Sequence, residues 1–123
     1  MYADLLKLAV EEPHLRQGPD TERDPNEEKQ WPIYAYMVWN FLETVHDRVY
    51  YKHDRVYYES ADIRLQETWG KVIRLEHEIF GLWFKDNAEV FKGTFVEFIE
   101  EQIDIWKQDP NWRQPEPGKR RQG

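Results

Sequence analysis

Three side chains suited to acid–base or binding chemistry fall on apolar helix faces. On a helical wheel of about 100° per residue, Glu76 lies about 40° from Val72, inside an apolar sector. On another helix, His46 and His53 lie about 40° and 20° from Leu42. A buried carboxylate without a partner is costly. We therefore expect Glu76 to pair with His46 in the core.

A pairing of Glu76 with His46 would affect the pKa of the histidine and could serve more than one role. If it forms, the carboxylate raises the pKa of His46, because a neighbouring negative charge favours the imidazolium. Its simplest role is structural, since a buried polar pair specifies helix register. A second interpretation is a small-ligand pocket lined by Glu76, His46 and three tryptophans, namely Trp39, Trp69 and Trp83. If His46 does not reach Glu76, the candidate partners of the Glu76 carboxylate are Trp39 Nε1, a tyrosine hydroxyl and Arg48.

The same residues argue against a metal site. Glu43 and His46 form one Glu-x-x-His motif, whereas a ferritin-like di-iron site needs two. His46 and His53 are two helical turns apart, about 10 Å, which is too far for one ion. The chain has no cysteine, no phosphate-binding loop and no nucleophile elbow. We expect no metal, no cofactor and no catalytic residue, and an enzyme built on Glu76 and His46 ranks last among the alternatives.

A duplicated hexapeptide carries most of the tyrosines. The sequence HDRVYY at 46–51 recurs at 53–58. Seven residues make two helical turns, so both copies present one face and the helix is expected to continue to about residue 58. Because tyrosine is enriched at interfaces, we predict an interaction surface, with coverage of the core as the alternative. Its residues are Tyr50, Tyr51, Tyr57 and Tyr58.

Composition limits the class of protein. The 123 residues suffice for one domain, and six Trp, seven Tyr and six Phe can build its core. The net charge of −7 argues against nucleic-acid binding. The longest apolar stretch, residues 31–42, is shorter than the roughly 20 residues of a membrane span. We expect a cytoplasmic protein, either free or peripheral to the membrane, without an integral membrane segment.

Apolar periodicity predicts two helices in the first half. A short helix covers residues 2–12 and must dock on the remainder, because isolated helices of that length are marginal. A second helix has Asp24 as a candidate N-cap and Pro25 at its first position. Pro32 cannot donate to a carbonyl, so the helix either kinks there or begins near Trp31. Its apolar face centres on Leu42.

Two more helices follow. The third begins at Ser60 or Asp62 with an apolar stripe centred on Val72, and the fourth begins near Asp86 with an amphipathic face through Phe95. Prolines and charges predict a disordered tail over 110–123. The fold class is therefore all-α, a small antiparallel four-helix bundle over 1–109 with a short first helix.

A series of landmarks occurs along the chain, namely residues 12–15, 36–43, Trp69, Trp83, Phe84, Asn87, Phe91, Phe95 and Phe98. Their order resembles a group of uncharacterised bacterial helical proteins, some of which carry an N-terminal membrane helix that this sequence lacks. The resemblance spans about residues 2–106 and implies a helical bundle and no particular reaction.

The sequence thus favours a non-enzymatic module that binds another protein or itself. The alternative is a regulatory bundle that binds a small ligand. The two differ structurally, because a ligand-binding bundle needs a pocket of roughly 300 Å³ or more beside the polar pair. An interaction module instead needs a filled core and an apolar surface patch.

Overall fold

The computed structural model describes residues 2–18, 22–51 and 58–112, and the side chains of residues 49–51 and 58–64 lie outside that description. Within these ranges the chain forms four α-helices and no strand, which confirms the all-α class. The helices are α1 (Tyr2–Glu11), α2 (Pro25–Tyr51), α3 (Tyr58–Asp86) and α4 (Gly93–Trp106), with short 3₁₀ segments at Pro13–Arg16 and Ala88–Val90.

A capping box starts α2 at the predicted position. The Asp24 carboxylate accepts from the Glu27 N–H at 2.9 Å, and the Glu27 carboxylate accepts from the Asp24 N–H at 3.0 Å. Pro25 occupies the first helical turn, where a missing N–H costs nothing. The helix then continues through Pro32. The alternative start near Trp31 is therefore wrong.

Helices α2 and α3 form the predicted antiparallel hairpin. Phe41 contacts Trp69 with ring centroids 5.5 Å apart, and Trp31, nearer the start of α2, contacts Phe80, nearer the end of α3, at 5.3 Å. The first helix docks against both. Its Tyr2 ring stacks on Phe41 at 5.6 Å and meets Trp69 edge-on at 6.0 Å.

The apolar face of α2 is the predicted one, but that of α3 is rotated. Ala35, Val38, Trp39 and Leu42 are buried on α2. On α3 the buried stripe is not centred on Val72, and Leu75 is 47% exposed. The centre moves by roughly 90° around the helix, because rings bury more area than leucine side chains and α3 faces both α2 and α4. The residues of this stripe are Ile73, His77, Phe80 and Phe84.

The fourth helix has the predicted buried face and a different start. Phe95, Phe98, Ile99, Gln102 and Trp106 are buried. The predicted start at Asp86 is wrong, because α3 continues through that residue and α4 begins only at Gly93. The intervening Asn87 ends α3 by donating from its amide to the Trp83 carbonyl at 2.8 Å.

The folded region extends past the predicted boundary at Asp109. Trp112 stacks on Trp106 at 5.8 Å and packs against the core. The predicted tail beyond it, 113–123, lies outside the described residues. Among the helices that are described, none has both the length and the apolar composition needed to cross a bilayer.

Candidate functional site

Glu76 is fully buried, as predicted, and it binds Arg16 and Tyr2 rather than His46. Its exposed fraction is 0%. Arg16 donates from Nη1 to Oε2 at 2.9 Å and places Nη2 2.8 Å from Oε1. The Tyr2 hydroxyl donates to Oε1 at 2.6 Å. One predicted alternative, a tyrosine hydroxyl, is confirmed, whereas the arginine was not predicted.

This network joins three segments of the chain. Tyr2 belongs to α1, Arg16 to the first 3₁₀ segment and Glu76 to α3. Burial, followed by the hydrogen bond and charge of Glu76, raises the pKa of Tyr2 well above its usual value. Burial alone would lower the pKa of Arg16, but the hydrogen bond and charge of Glu76 outweigh it and the pKa is raised. Tyr2 therefore stays neutral and Arg16 stays charged near neutral pH, and with Glu76 the two side chains act as a clamp between the three segments.

The hairpin register separates His46 from Glu76. Trp39 already contacts His77 edge-on at 6.5 Å, and His46 lies seven residues further along α2, about 10 Å away. There it is 1% exposed, between the rings of Phe95 and Phe98 at 5.5 and 5.2 Å. Its Nδ1 lies 3.9 Å from the Asp47 carboxylate. The predicted pairing of His46 with Glu76 is therefore wrong.

The three tryptophans do not enclose a common pocket with these groups. Trp39 is fully buried, donates from Nε1 to the Phe80 carbonyl at 3.2 Å and packs 4.4 Å from the Phe84 ring. Trp69 packs against Phe41, and Trp83 packs elsewhere on α3, against Tyr36 and Phe91. Glu76 and Trp39 have no solvent-accessible surface, so neither side chain is open to a ligand.

The Glu-x-x-His motif of α2 contributes to the packing of α4. No group of three or more metal-binding side chains converges among the described residues. Glu43, from the Glu-x-x-His motif, instead accepts from the Lys92 backbone N–H at 2.8 Å and so holds the start of α4 against α2. The predicted tyrosine surface is not described: residues 52–57, which include His53 and Tyr57, and the side chains of Tyr50, Tyr51 and Tyr58 lie outside the described part of the chain.

A buried histidine on α3 was missed. His77 is 4% exposed, and its ring stacks on Trp112 at 5.6 Å and lies 5.4 Å from Trp106. Burial lowers its pKa to about 4, so it is neutral at pH 7. The spacing of His77 with Ile73 and Phe80, four residues before and three after, is a helical stripe that could have identified it.

An apolar groove runs between α1 and α2. It encloses about 270 Å³ and is lined by Leu8, Glu12, Leu15, Gln30, Ile33, Tyr34 and Met37. Three of these apolar side chains face solvent, with exposed fractions of 37% for Leu8, 62% for Ile33 and 40% for Met37. Below them, Leu15 and Tyr34 are buried and form the floor.

Three polar contacts hold the groove walls together. The Tyr34 hydroxyl donates to the Leu5 carbonyl of α1 at 2.9 Å. At the far end, His14 lies 3.0 Å from Glu27 and 3.0 Å from Gln30, both on α2. Together with the Glu76 clamp, these contacts fix the positions of α1 and α2 on either side of the groove.

Comparison of the chain with protein-family models, curated proteins and solved structures finds no match, so the resemblance drawn from the sequence stays a prediction and function must be argued from this geometry.

Proposed function

We propose that the chain is a non-enzymatic interaction module whose α1–α2 groove holds an amphipathic helix of another protein. The observation that carries the proposal is the solvent-facing set of Leu8, Ile33 and Met37 along a groove with a buried apolar floor. Apolar side chains grouped on a surface typically mark interaction sites. The cytoplasmic location predicted from the sequence is part of this proposal.

The groove dimensions favour a helix over a small ligand. Its volume of about 270 Å³ lies below the roughly 300–1,000 Å³ of small-molecule pockets. Its wall α1 has ten residues, so it is about 15 Å long and matches two to three turns of a partner helix. Such helices dock through apolar side chains at positions i, i+3 or i+4, and i+7. Met37 offers a flexible side chain that adapts to those anchors.

The charges around the groove indicate what flanks those anchors. Glu12 is a charged residue that lines the groove, and the exposed charged side chains of α1 are Asp4, Lys7 and Glu11, so acids outnumber bases three to one on that wall. An acidic rim lowers the affinity for acidic partners and steers basic ones. We therefore expect lysine or arginine beside the apolar stripe of the partner helix.

The test is a matched pair of charge substitutions in the full chain. Met37→Lys places a charge in the groove, and Ile105→Lys places one at a similarly exposed apolar position on α4. Each tagged variant is expressed in the cells of origin, and stoichiometric co-purifying proteins are quantified by mass spectrometry. Met37→Lys should lose a protein that wild type and Ile105→Lys retain, while all three keep the same circular dichroism.

Two results would overturn the proposal. Equal recovery with both variants would show that the groove is not the binding surface. A concentration-dependent dimer of the purified chain that Met37→Lys abolishes would assign the groove to a second copy of the chain, in place of a partner helix.

A further inference from the structure

Helix α3 carries a second row of apolar side chains that the bundle covers only in part. This α3 row consists of Val72, Leu75, Ile79 and Leu82. Leu75 is 47% exposed, and the other three side chains are half-buried. The row is centred more than about 90° around the helix from the stripe that packs inside the bundle. It belongs to the stripe that the sequence predicted to be buried, so its apolar surface still needs a cover.

The spacing of the α3 row is that of a coiled-coil seam. Its members follow one another at steps of three, four and three residues. Such steps repeat every seven residues, and a stripe with that period faces a second helix along its whole length. From Val72 to Leu82 the row extends for ten residues, about 15 Å of helix. The spacing therefore points to a single helix as the partner of the row.

The charges beside the row differ between its two flanks. On one flank, Lys71 and Glu78 lie one heptad apart, each immediately before an apolar residue of the row. Neither forms an ion pair with a residue that the structure describes. The other flank holds Trp69, Glu76 and Trp83, and the one charged side chain among them is fully buried. Only the first flank can therefore offer charges to a partner.

These charges favour an antiparallel pair of α3 helices. In such a pair the same flank of each helix meets, so Lys71 of each copy lies opposite Glu78 of the other. A two-fold axis midway between the two residues forms both contacts at once. In this register Val72 packs against Leu75 of the second copy. A parallel pair would set Lys71 and Glu78 against the opposite flank, which has no exposed charge.

We propose that the chain forms an antiparallel homodimer through the α3 row. A seam of about 15 Å is small beside a standard interface, which buries roughly 800 Å² per partner, so the dimer is reversible and dissociates in the micromolar range. The α3 row shares no residue with the lining of the α1–α2 groove. The dimer therefore presents two grooves, and their use by two partner helices rests on the proposed function.

Sedimentation equilibrium of the full chain from about 1 to 500 µM measures this association. Wild type should change from monomer to dimer across that range. Leu75→Lys places a charge in the seam twice and should remain monomeric. Ile105→Lys, at a similarly exposed apolar position on α4, should dimerise like wild type. Both variants should keep the circular dichroism of wild type.

Charge reversal tests the register without changing the apolar row. Lys71→Glu and Glu78→Lys should each weaken the homodimer about five- to fiftyfold, because two attractive pairs become repulsive. An equimolar mixture of the two variants should associate about as tightly as wild type, because both pairs are restored between unlike copies. Net charge cannot produce this pattern, since Glu78→Lys makes the acidic chain less negative.

The ends of the seam provide a test that gains affinity. The same register sets Lys85 opposite position 64 of the second copy, which is an arginine. This like-charged contact occurs at the helix ends, where water and salt screen it. Lys85→Glu makes the contact attractive at both ends and should strengthen the dimer about two- to tenfold.

Four outcomes overturn the proposal. The first is a wild-type monomer at every concentration. The second is full dimerisation of Leu75→Lys. The third is a mixture of the charge variants that associates no better than either variant alone. The fourth is a Lys85→Glu variant that associates no more tightly than wild type. None of them bears on the α1–α2 groove, because the groove and the row share no residue.

Discussion

Arg16 and Glu76 are 60 positions apart in the chain and meet through two contacts, Nη1 to Oε2 at 2.9 Å and Nη2 to Oε1 at 2.8 Å. The carboxylate is fully buried, whereas the arginine side chain is 19% exposed. The pair is therefore asymmetric: loss of the arginine strands a charge, and loss of the carboxylate leaves a cation that can still reach water. A two-pronged arginine contact also fixes orientation, which here holds the first 3₁₀ segment against α3.

This asymmetry predicts the stability of three variants. Arg16→Met should lower the free energy of unfolding by about 3–5 kcal/mol, because it leaves the buried Glu76 without its cation. Glu76→Gln should cost less, about 1–3 kcal/mol. The double variant Arg16→Met with Glu76→Leu should be more stable than Arg16→Met alone. Urea unfolding measures all three, with the exposed Glu97→Gln as the control. A double variant no more stable than Arg16→Met alone would contradict a coupled pair.

The buried histidine predicts a pH dependence. The pKa of His77 is about 4 in the folded protein against an ordinary value of 6.5 for an exposed histidine, so the unfolded chain binds more protons between those values. The stability contribution of the neutral ring is complete above about pH 6.5 and is lost as the pH falls towards 4. The loss is on the order of 3 kcal/mol.

His77→Phe should be free of this loss, so its stability relative to wild type should rise steadily on acidification. Thermal or urea unfolding at several pH values isolates the effect, because all other titrating groups are common to both proteins. Parallel curves for the two proteins would mean that the ring is already solvated in the fold.

Neighbouring positions on α2 should respond very differently to truncation. Leu42 is 2% exposed, and Leu42→Ala should cost about 2–5 kcal/mol through lost burial and a cavity. Met37 is 40% exposed, and Met37→Ala should cost less than about 1 kcal/mol, because its side chain already faces water. Equal costs, measured by urea unfolding, would place Met37 in the core and remove it from the groove surface.

Pro32, inside α2, is expected to destabilise the folded protein. Pro32 cannot donate to the Glu28 carbonyl, so Pro32→Ala should restore one helical hydrogen bond and stabilise the protein by about 1–2 kcal/mol. Part of the gain is offset by a more flexible unfolded chain. Pro25→Ala serves as the control, because a first-turn N–H has no helical partner. A destabilised Pro32→Ala would show that the bundle requires the proline geometry.

Helical periodicity predicted much of this fold, and its failures have physical causes. It identified all four helices, the buried face of α2 and the burial of Glu76 and His46, because burial recurs with the helical period. It could not predict which of them meet, since a helical wheel gives direction around an axis and not height along it. Arg16 was missed because it lies outside the periodic segments, in a 3₁₀ turn that begins at Pro13. The buried face of α3 was predicted in the wrong direction, because a count of apolar residues ignores how much larger Phe80 and Phe84 are than Leu75.

The groove was also beyond prediction from sequence. Ile33 and Met37 are four residues apart on α2, and Leu8 joins them only because α1 folds back across that helix. The sequence placed the interaction surface on tyrosines that the structure does not describe, so that prediction remains untested.

Site-specific photo-crosslinking most directly tests whether the α1–α2 groove holds a partner helix. A photoreactive amino acid replaces Ile33, which is 62% exposed and lines the groove, or Val90, which is 56% exposed and does not line it. We predict one discrete protein adduct from position 33 and none from position 90, with the crosslink mapping to an apolar position of a helix flanked by basic residues. Identical adducts from both positions, or none from position 33, would contradict the account.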